Sequence, residues 1–364
     1  MSDESVLTDH AQYAALVRAG QLAGHELTGV DLSGADCPRA DLRGSALLEV
    51  TLTGATLAGA DLSSSALQDC DLSSADLSHA RATAAKFLSS LLRGTAARSA
   101  ILDDAVLSEC DLSGADLRRA SLARAVVNNC LASESRLAGA VLAQATFTGV
   151  GLSRAVLNCS NFRKGSMTAI LLEDASAAGT DFTSSDIKDS NFTRITSPGS
   201  VFLNAVLAGV RAEHADLSRC DFSGAAVSAS IFDRATLWQS ALTGSRFAGC
   251  SFEFADLRSI RADRSDFTEV RFTGADLRGA HLHRCVLRDA DFYWADLTDC
   301  ELVDCDTAGA RFSEPVRVAY GPRNAVPPRV VPIPLYRAAT TEAEYRRMVS
   351  SDFDGNSEAQ DTRP

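Results

Sequence analysis

The sequence predicts an all-β fold: one long four-sided β-helix, preceded by a short helix and followed by a proline-rich tail. Three observations predict it. A bulky apolar residue recurs every five positions, a small residue stands two before it, and glycine favours the position two after it. The chain has 364 residues and a formal net charge of −12; 46% of its residues are hydrophobic but only 6% are aromatic. That length allows one to three ordinary domains. So few bulky side chains suit a thin, regular core better than a large globular one.

The period comes first. From Leu22, steps of five pass through Leu27, Leu32, Cys37, Leu42 and Leu47 and reach Leu297, Leu302, Thr307 and Phe312 with no insertion. Of these 59 central positions, 46 carry Leu or Phe, and only Ser197 and Thr307 are polar. Two residues earlier the side chain is small, as at Ala35, Ala60, Ala115 and Ala275, with His25 the exception. Asp or Asn often stands one before the centre, as at Asp31, Asp71, Asp111 and Asn161. Of the 24 glycines, 19 lie two after a centre. Five fits neither the helical period of 3.6 nor the strand period of 2. It fits a chain that turns a corner every five residues, with glycine near the corner. The centre and the small residue point inward, and the other three point outward. Four corners close a coil of about 20 residues, and stacked coils pair as parallel strands ~4.8 Å apart.

The segments ADLRG, CDLSG, ADLSH and NFTRI resemble the pentapeptide-repeat family, whose motif is A(D/N)LXX. The resemblance covers residues 20–314 and implies a right-handed quadrilateral β-helix; the handedness comes from the resemblance, not from the spacing. The repeat number implies about 15 coils and a rod on the order of 70 Å long.

Residues 1–19 read as an N-terminal capping helix, with Leu7, Tyr13, Leu16 and Val17 available to cover the first coil. An open solenoid end is an edge that needs such cover. Seven of the nine prolines follow residue 314, so residues 315–364 read as a proline-rich tail with a short helix at 340–349 and a disordered end. The sequence leaves open whether this tail folds back as a cap or reaches a partner. Inside the rod, Phe232, Phe252, Phe272, Phe292 and Phe312 stand 20 apart and predict a ladder of stacked rings.

No HExxH, GxSxG or Walker loop stands in the chain, so no catalytic residue is expected. No cofactor and no metal is expected either. Eight of the ten cysteines (Cys70, Cys110, Cys130, Cys220, Cys250, Cys285, Cys300 and Cys305) occupy the small inward slot and read as compact filler. His281 and His283 read as surface residues near Arg278, Arg284 and Arg288. The aspartates before the centres read as solvation and turn support.

A protein surface is therefore the expected instrument. Phe254 is the one Phe of the repeats outside a centre. Trp294 stands in its column two coils on, beside Tyr293, with Gly274 between. These three predict an aromatic docking edge, covered either by a partner or by the chain's own proline-rich tail. A second apolar cluster groups Leu91, Ile101, Val106, Val126, Leu131 and Val141 as a candidate interface, including one between copies of this chain. The partner is unnamed. The family resemblance offers DNA gyrase, bound through mimicry of DNA, and the layout offers a component or effector of a bacterial secretion machine. Charge argues against the first. The N-terminal 21 residues carry −2 and the tail from 313 is balanced, which leaves −10 on the rod. DNA carries roughly −40 over the same length. Direct nucleic-acid binding is not expected, because the arginines are dispersed and the net charge is negative. No apolar run approaches the ~20 residues of a membrane helix. The N-terminus has no secretory h-region, so the chain reads as cytoplasmic.

Overall fold

A computed structural model of the protein describes residues 15–17, 22–313 and 329–330. The described residues form a parallel β-solenoid of about 14 coils, with helix only at residues 15–17. Eleven three-residue strands stack in one sheet, each 20 residues after the last, from β1 (Glu26–Thr28) and β2 (Ala46–Leu48) to β11 (Ala226–Ser228). Between β1 and β2 the register pairs Leu27 with Leu47, and the same offset of 20 holds throughout. The other three faces are held by single bridges, such as Asp31 to Thr51, Asp36 to Thr56 and Asp41 to Asp61. Near the C-terminal end the three-residue strands move to another face, as β12 (His281–His283) and β14 (Glu301–Val303). The run closes with β13 (Asp291–Phe292) and β15 (Arg311–Phe312).

The inward positions are the two the period requires. In nearly every five-residue unit the centre and the small residue are buried and the rest are at least partly exposed; His25, Val30, Ala295, Leu297 and Cys300, near the two ends, are the inward positions left partly open. The core holds two ring ladders. One is the expected column from Phe232 to Phe312, whose successive centroids lie 4.9 to 5.7 Å apart. The other runs through Phe162, Phe182, Phe202 and Phe222, with Phe202 and Phe222 4.6 Å apart and 3° from parallel. A 20-residue repeat in register puts like on like, so rings within a column stack face to face, while rings of different columns meet edge-on, as Phe222 and Phe247 do.

Every fifth residue from 24 to 309 has a positive φ, and only 19 of these corners are glycine. The other 39 carry side chains in the left-handed region, which costs an L-residue ~1–2 kcal/mol. The ladder overrides this preference. Nearly every corner N–H is committed to the next coil, as when Arg39 N–H donates to the Ala58 carbonyl at 2.8 Å and Arg119 N–H to the Ala138 carbonyl at 3.1 Å. Aspartates before the centres brace the same turns. Ser73 N–H donates to Asp71 Oδ1 at 2.8 Å, and Ser113 N–H donates to Asp111 Oδ1 at 2.9 Å.

Corners come in two kinds. At most, the small residue's N–H bonds back to the centre's carbonyl, as from Ala105 to Leu102 at 3.1 Å. On the face of the eleven strands the corner is open, and the inward slot holds Val50, Cys70, Ser90, Cys110, Cys130 and Ile170 instead of alanine. There the carbonyl of the centre accepts from the next coil: Cys70 Sγ donates to Leu47 O at 3.4 Å, and Cys110 Sγ to Phe87 O at 3.3 Å. The cysteines thus fill the slot and also lend a weak S–H donor to these carbonyls, which Val50 and Ile170 in the same slot do not. Burial pushes the Cys70 thiol up to about 11 and that of Cys220 up to about 12, so these sulfurs stay protonated.

At the N-terminal end residues 15–17 are helical, and Val17 and Leu16 pack on the core. The rest of the expected helix, with Leu7 and Tyr13, lies outside the described residues. At the other end β16 (Arg329–Val330) pairs parallel with β15, Arg311 opposite Arg329 and Phe312 opposite Val330. Part of the tail thus folds back and continues the ladder beyond the last coil. The expected helix at 340–349 lies outside the described residues.

Candidate docking surface

The aromatic edge forms at the column of corners that runs Arg234, Phe254, Gly274, Trp294. Phe254 has φ 57° and Trp294 φ 60°, so two bulky residues occupy a conformation that favours glycine. Phe254 is 37% exposed. Its ring lies over Gly274: a Cβ there would come within 2.6 Å of Phe254 Cδ1 and Cε1, and Gly274 itself has φ +66°. The glycine therefore serves both the corner and the ring. On its other side Phe254 receives the Arg234 guanidinium 5.9 Å from the ring centroid. Tyr293 and Trp294 stack on each other at 5.0 Å and 21°, both half-buried. The Trp294 backbone N–H donates to Ser313 Oγ. The structure thus places all three predicted aromatics along one edge near the C-terminal end, with Phe254 and Trp294 two coils, about 10 Å, apart.

The second apolar cluster does not form one surface. Leu91 and Leu131 share a ladder through Asp111; Ile101 and Val141 share another through Ser121; Val106 pairs with Val126 on β5 (Val106–Ser108) and β6 (Val126–Asn128) of the eleven-strand sheet. These are three different faces, and the Leu and Ile columns are two corners apart. Sequence proximity along the chain misleads here, because only residues congruent at 20 share a face. Leu131 is 57% exposed, but Asp111 and Gly151 flank it in its ladder.

The acidic faces are laced with arginine. Arg118 holds Asp116 through two bonds at 2.8 and 2.7 Å while Arg98 reaches the same carboxylate at 2.6 Å. Arg258 and Arg278 clamp Asp256 and Asp276 likewise and reach on toward Asp276 and Asp296. Hydrogen bonds from Arg118 hold the Asp116 carboxyl well below the usual carboxylate range, and those from Arg43 lower Asp41 to about 2.

His281 and His283 stand at the surface with partners that the sequence reading did not name. Both are partly exposed, as expected, and their polar contacts are to acids. His281 Nδ1 and His283 Nε2 each lie 2.8 Å from Glu301 Oε2, and His283 Nδ1 lies 3.5 Å from Asp263 Oδ1. The sequence signal was the 20-residue offset: Glu301 follows His281 by 20, and Asp263 precedes His283 by 20.

Fold and surface define a repeat solenoid that presents side chains on four faces and along their corners. Eight copies of the family model for pentapeptide repeats match, over residues 26–63, 100–137, 133–174, 198–224, 230–268 and 265–302. These segments make up more than half of the chain, and the protein belongs to the pentapeptide-repeat family. Among curated proteins, none matches the sequence. Solved structures that resemble it include full-length QnrB1, a plasmid-mediated fluoroquinolone resistance protein, at 18% identity, covering 71% of this chain and 91% of that one with a TM-score of 0.25. HetL, a pentapeptide repeat protein involved in heterocyst differentiation regulation from Nostoc sp. strain PCC 7120, is 21% identical, covers 82% and 93%, and has a TM-score of 0.14. The periplasmic alginate epimerase AlgG is 10% identical, covers 83% and 78%, and has a TM-score of 0.25. At these identities the likeness concerns the fold alone.

Proposed function

We propose that this protein is a non-enzymatic, cytoplasmic scaffold that docks a protein partner on the edge formed by Phe254, Tyr293 and Trp294. The observation that carries this reading is Phe254. Its ring is held in a left-handed corner, over a glycine that leaves it room, and still stands 37% exposed. Strained, exposed aromatics of this kind are costly to fold and common in hot spots. The fold-back strand β16 supports a division of labour in the tail. It adds to the face beside Tyr293 and Trp294, which favours a capping role for that part of the chain.

Gyrase protection and a part in a secretion machine are the alternative partners for the same scaffold. The arginine clamps on Asp116, Asp256 and Asp276 weaken a DNA-like reading, because they neutralise the acidic columns that would imitate phosphates. The test is capture of partners from host lysate by the full chain and by a Phe254→Ala/Trp294→Ala double variant, with mass spectrometry. A partner captured by the parent and lost by the variant supports the aromatic edge. Equal recovery by both defeats it, and gyrase subunits recovered equally would restore the DNA-mimic reading.

A further inference from the structure

We propose that His281, His283 and Glu301 form a binding site for one divalent transition-metal ion of the zinc type, with Asp263 orienting His283. One nitrogen from each ring and one oxygen of Glu301 lie within 4.8 Å of one another. Two imidazoles and a carboxylate are a donor set that first-row transition metals favour, and three protein ligands leave a fourth position open to water.

The backbone prepares this arrangement. Through most of the rod, a face offers one bridged residue before its turn. At β12 the open corner extends the chain into three strand residues, so His281 and His283 emerge on the same side with Leu282 buried between them. The pairing of β12 with β14 then sets His281 opposite Glu301 in register. The single bridge from Arg261 to His281 places the Asp263 coil on the other side. The site therefore spans three consecutive coils, each fixed by ladder hydrogen bonds. The two rings stand 5.9 Å apart and nearly perpendicular, at 83°, so they do not stack away the space between them.

The donor atoms already converge. His281 Nδ1 and His283 Nε2 both lie 2.8 Å from Glu301 Oε2, so the two rings aim at the same oxygen. A tetrahedral ion with bonds of ~2.0–2.1 Å holds its donors ~3.3 Å apart. Small side-chain rotations on an exposed strand make that change. With the ion bound, each coordinating nitrogen offers a lone pair, so each neutral ring carries its single N–H on the other nitrogen. For His283 that other nitrogen is Nδ1, which faces Asp263 Oδ1 at 3.5 Å. That carboxylate oxygen is shielded from solvent and makes no hydrogen bond. Such a carboxylate behind a ligating imidazole fixes the ring's tautomer and orientation.

The test uses the full chain stripped with chelator and titrated with Zn²⁺ by calorimetry and with Co²⁺ by visible absorption. One ion per chain is expected, with d–d absorption free of thiolate charge transfer. His283→Ala and Glu301→Gln should each weaken binding at least tenfold, and Asp263→Asn by about 10–100-fold while sparing all three ligands. His214→Ala, on an exposed corner of an earlier coil, should change nothing. Either no bound ion, thiolate charge transfer, or unchanged affinity in both His283→Ala and Glu301→Gln would overturn the assignment. Using two variants keeps the answer clear if one of them fails to fold.

Discussion

Replacing Phe222 by alanine tests whether the ring ladder holds the rod together. Phe222 is fully buried, stacked on Phe202 at 4.6 Å and 3°, and met edge-on by Phe247 at 6.0 Å. Phe→Ala in a core costs ~3–5 kcal/mol, the amount depending on how far the site collapses. Here collapse is opposed. Asp221 is bridged to Val201 on one side and Ala241 on the other, so the walls of the coil are pinned by their ladders. The expected loss is therefore about 4–5 kcal/mol, in the upper part of that range. Phe222→Leu, which restores the commonest centre of the other columns, should cost about 1–2 kcal/mol through lost ring contacts. Urea unfolding followed by circular dichroism measures both. Hydrogen exchange should show the loosening concentrated in the coils around residues 202–242, because in a solenoid each repeat touches only its neighbours. A loss under ~1.5 kcal/mol for Phe222→Ala, or equal losses for alanine and leucine, would refute the reasoning.

Ala82 and Ala97 stand at centres that elsewhere hold leucine and line an internal void of about 20 Å³; Ala97→Leu should raise stability by about 1 kcal/mol, and a lower melting temperature would mean that the walls cannot accept the larger side chain. Gly274→Ala should push the Phe254 ring aside and cost ~1–2 kcal/mol for the left-handed corner; reduced partner capture with every aromatic still present is the readout. Arg-bound Asp41, Asp104, Asp116 and Asp174 have lowered folded pKa values. Their stabilisation is complete above the ordinary aspartate value of ~3.9 and is lost as pH falls through the folded values. The urea midpoint should thus hold from about pH 7 to 5 and fall between about pH 4 and 2, and a flat profile down to that lower limit would contradict it.

The sequence by itself determined the coil. A five-residue period without insertions allows one closed cross-section, and burial then dictates which two residues of each unit turn inward. It also placed the Phe232–Phe312 ladder and the aromatic edge, because residues congruent at 20 must stack. The same arithmetic separates Leu91, Ile101 and Val106 onto three faces, where nearness along the chain suggests a single patch. Tertiary structure alone decided which corners are open. That depends on whether a small residue's N–H bonds within its own turn or a neighbouring coil supplies the donor, a choice made between coils. It likewise decided that His281 and His283 meet Glu301 and Asp263, since an open corner at β12 is what sets the two rings side by side. It also showed Val330 opposite Phe312: a tail rich in proline carries no period, and only the unfilled ladder of the last coil gives it a place to pair.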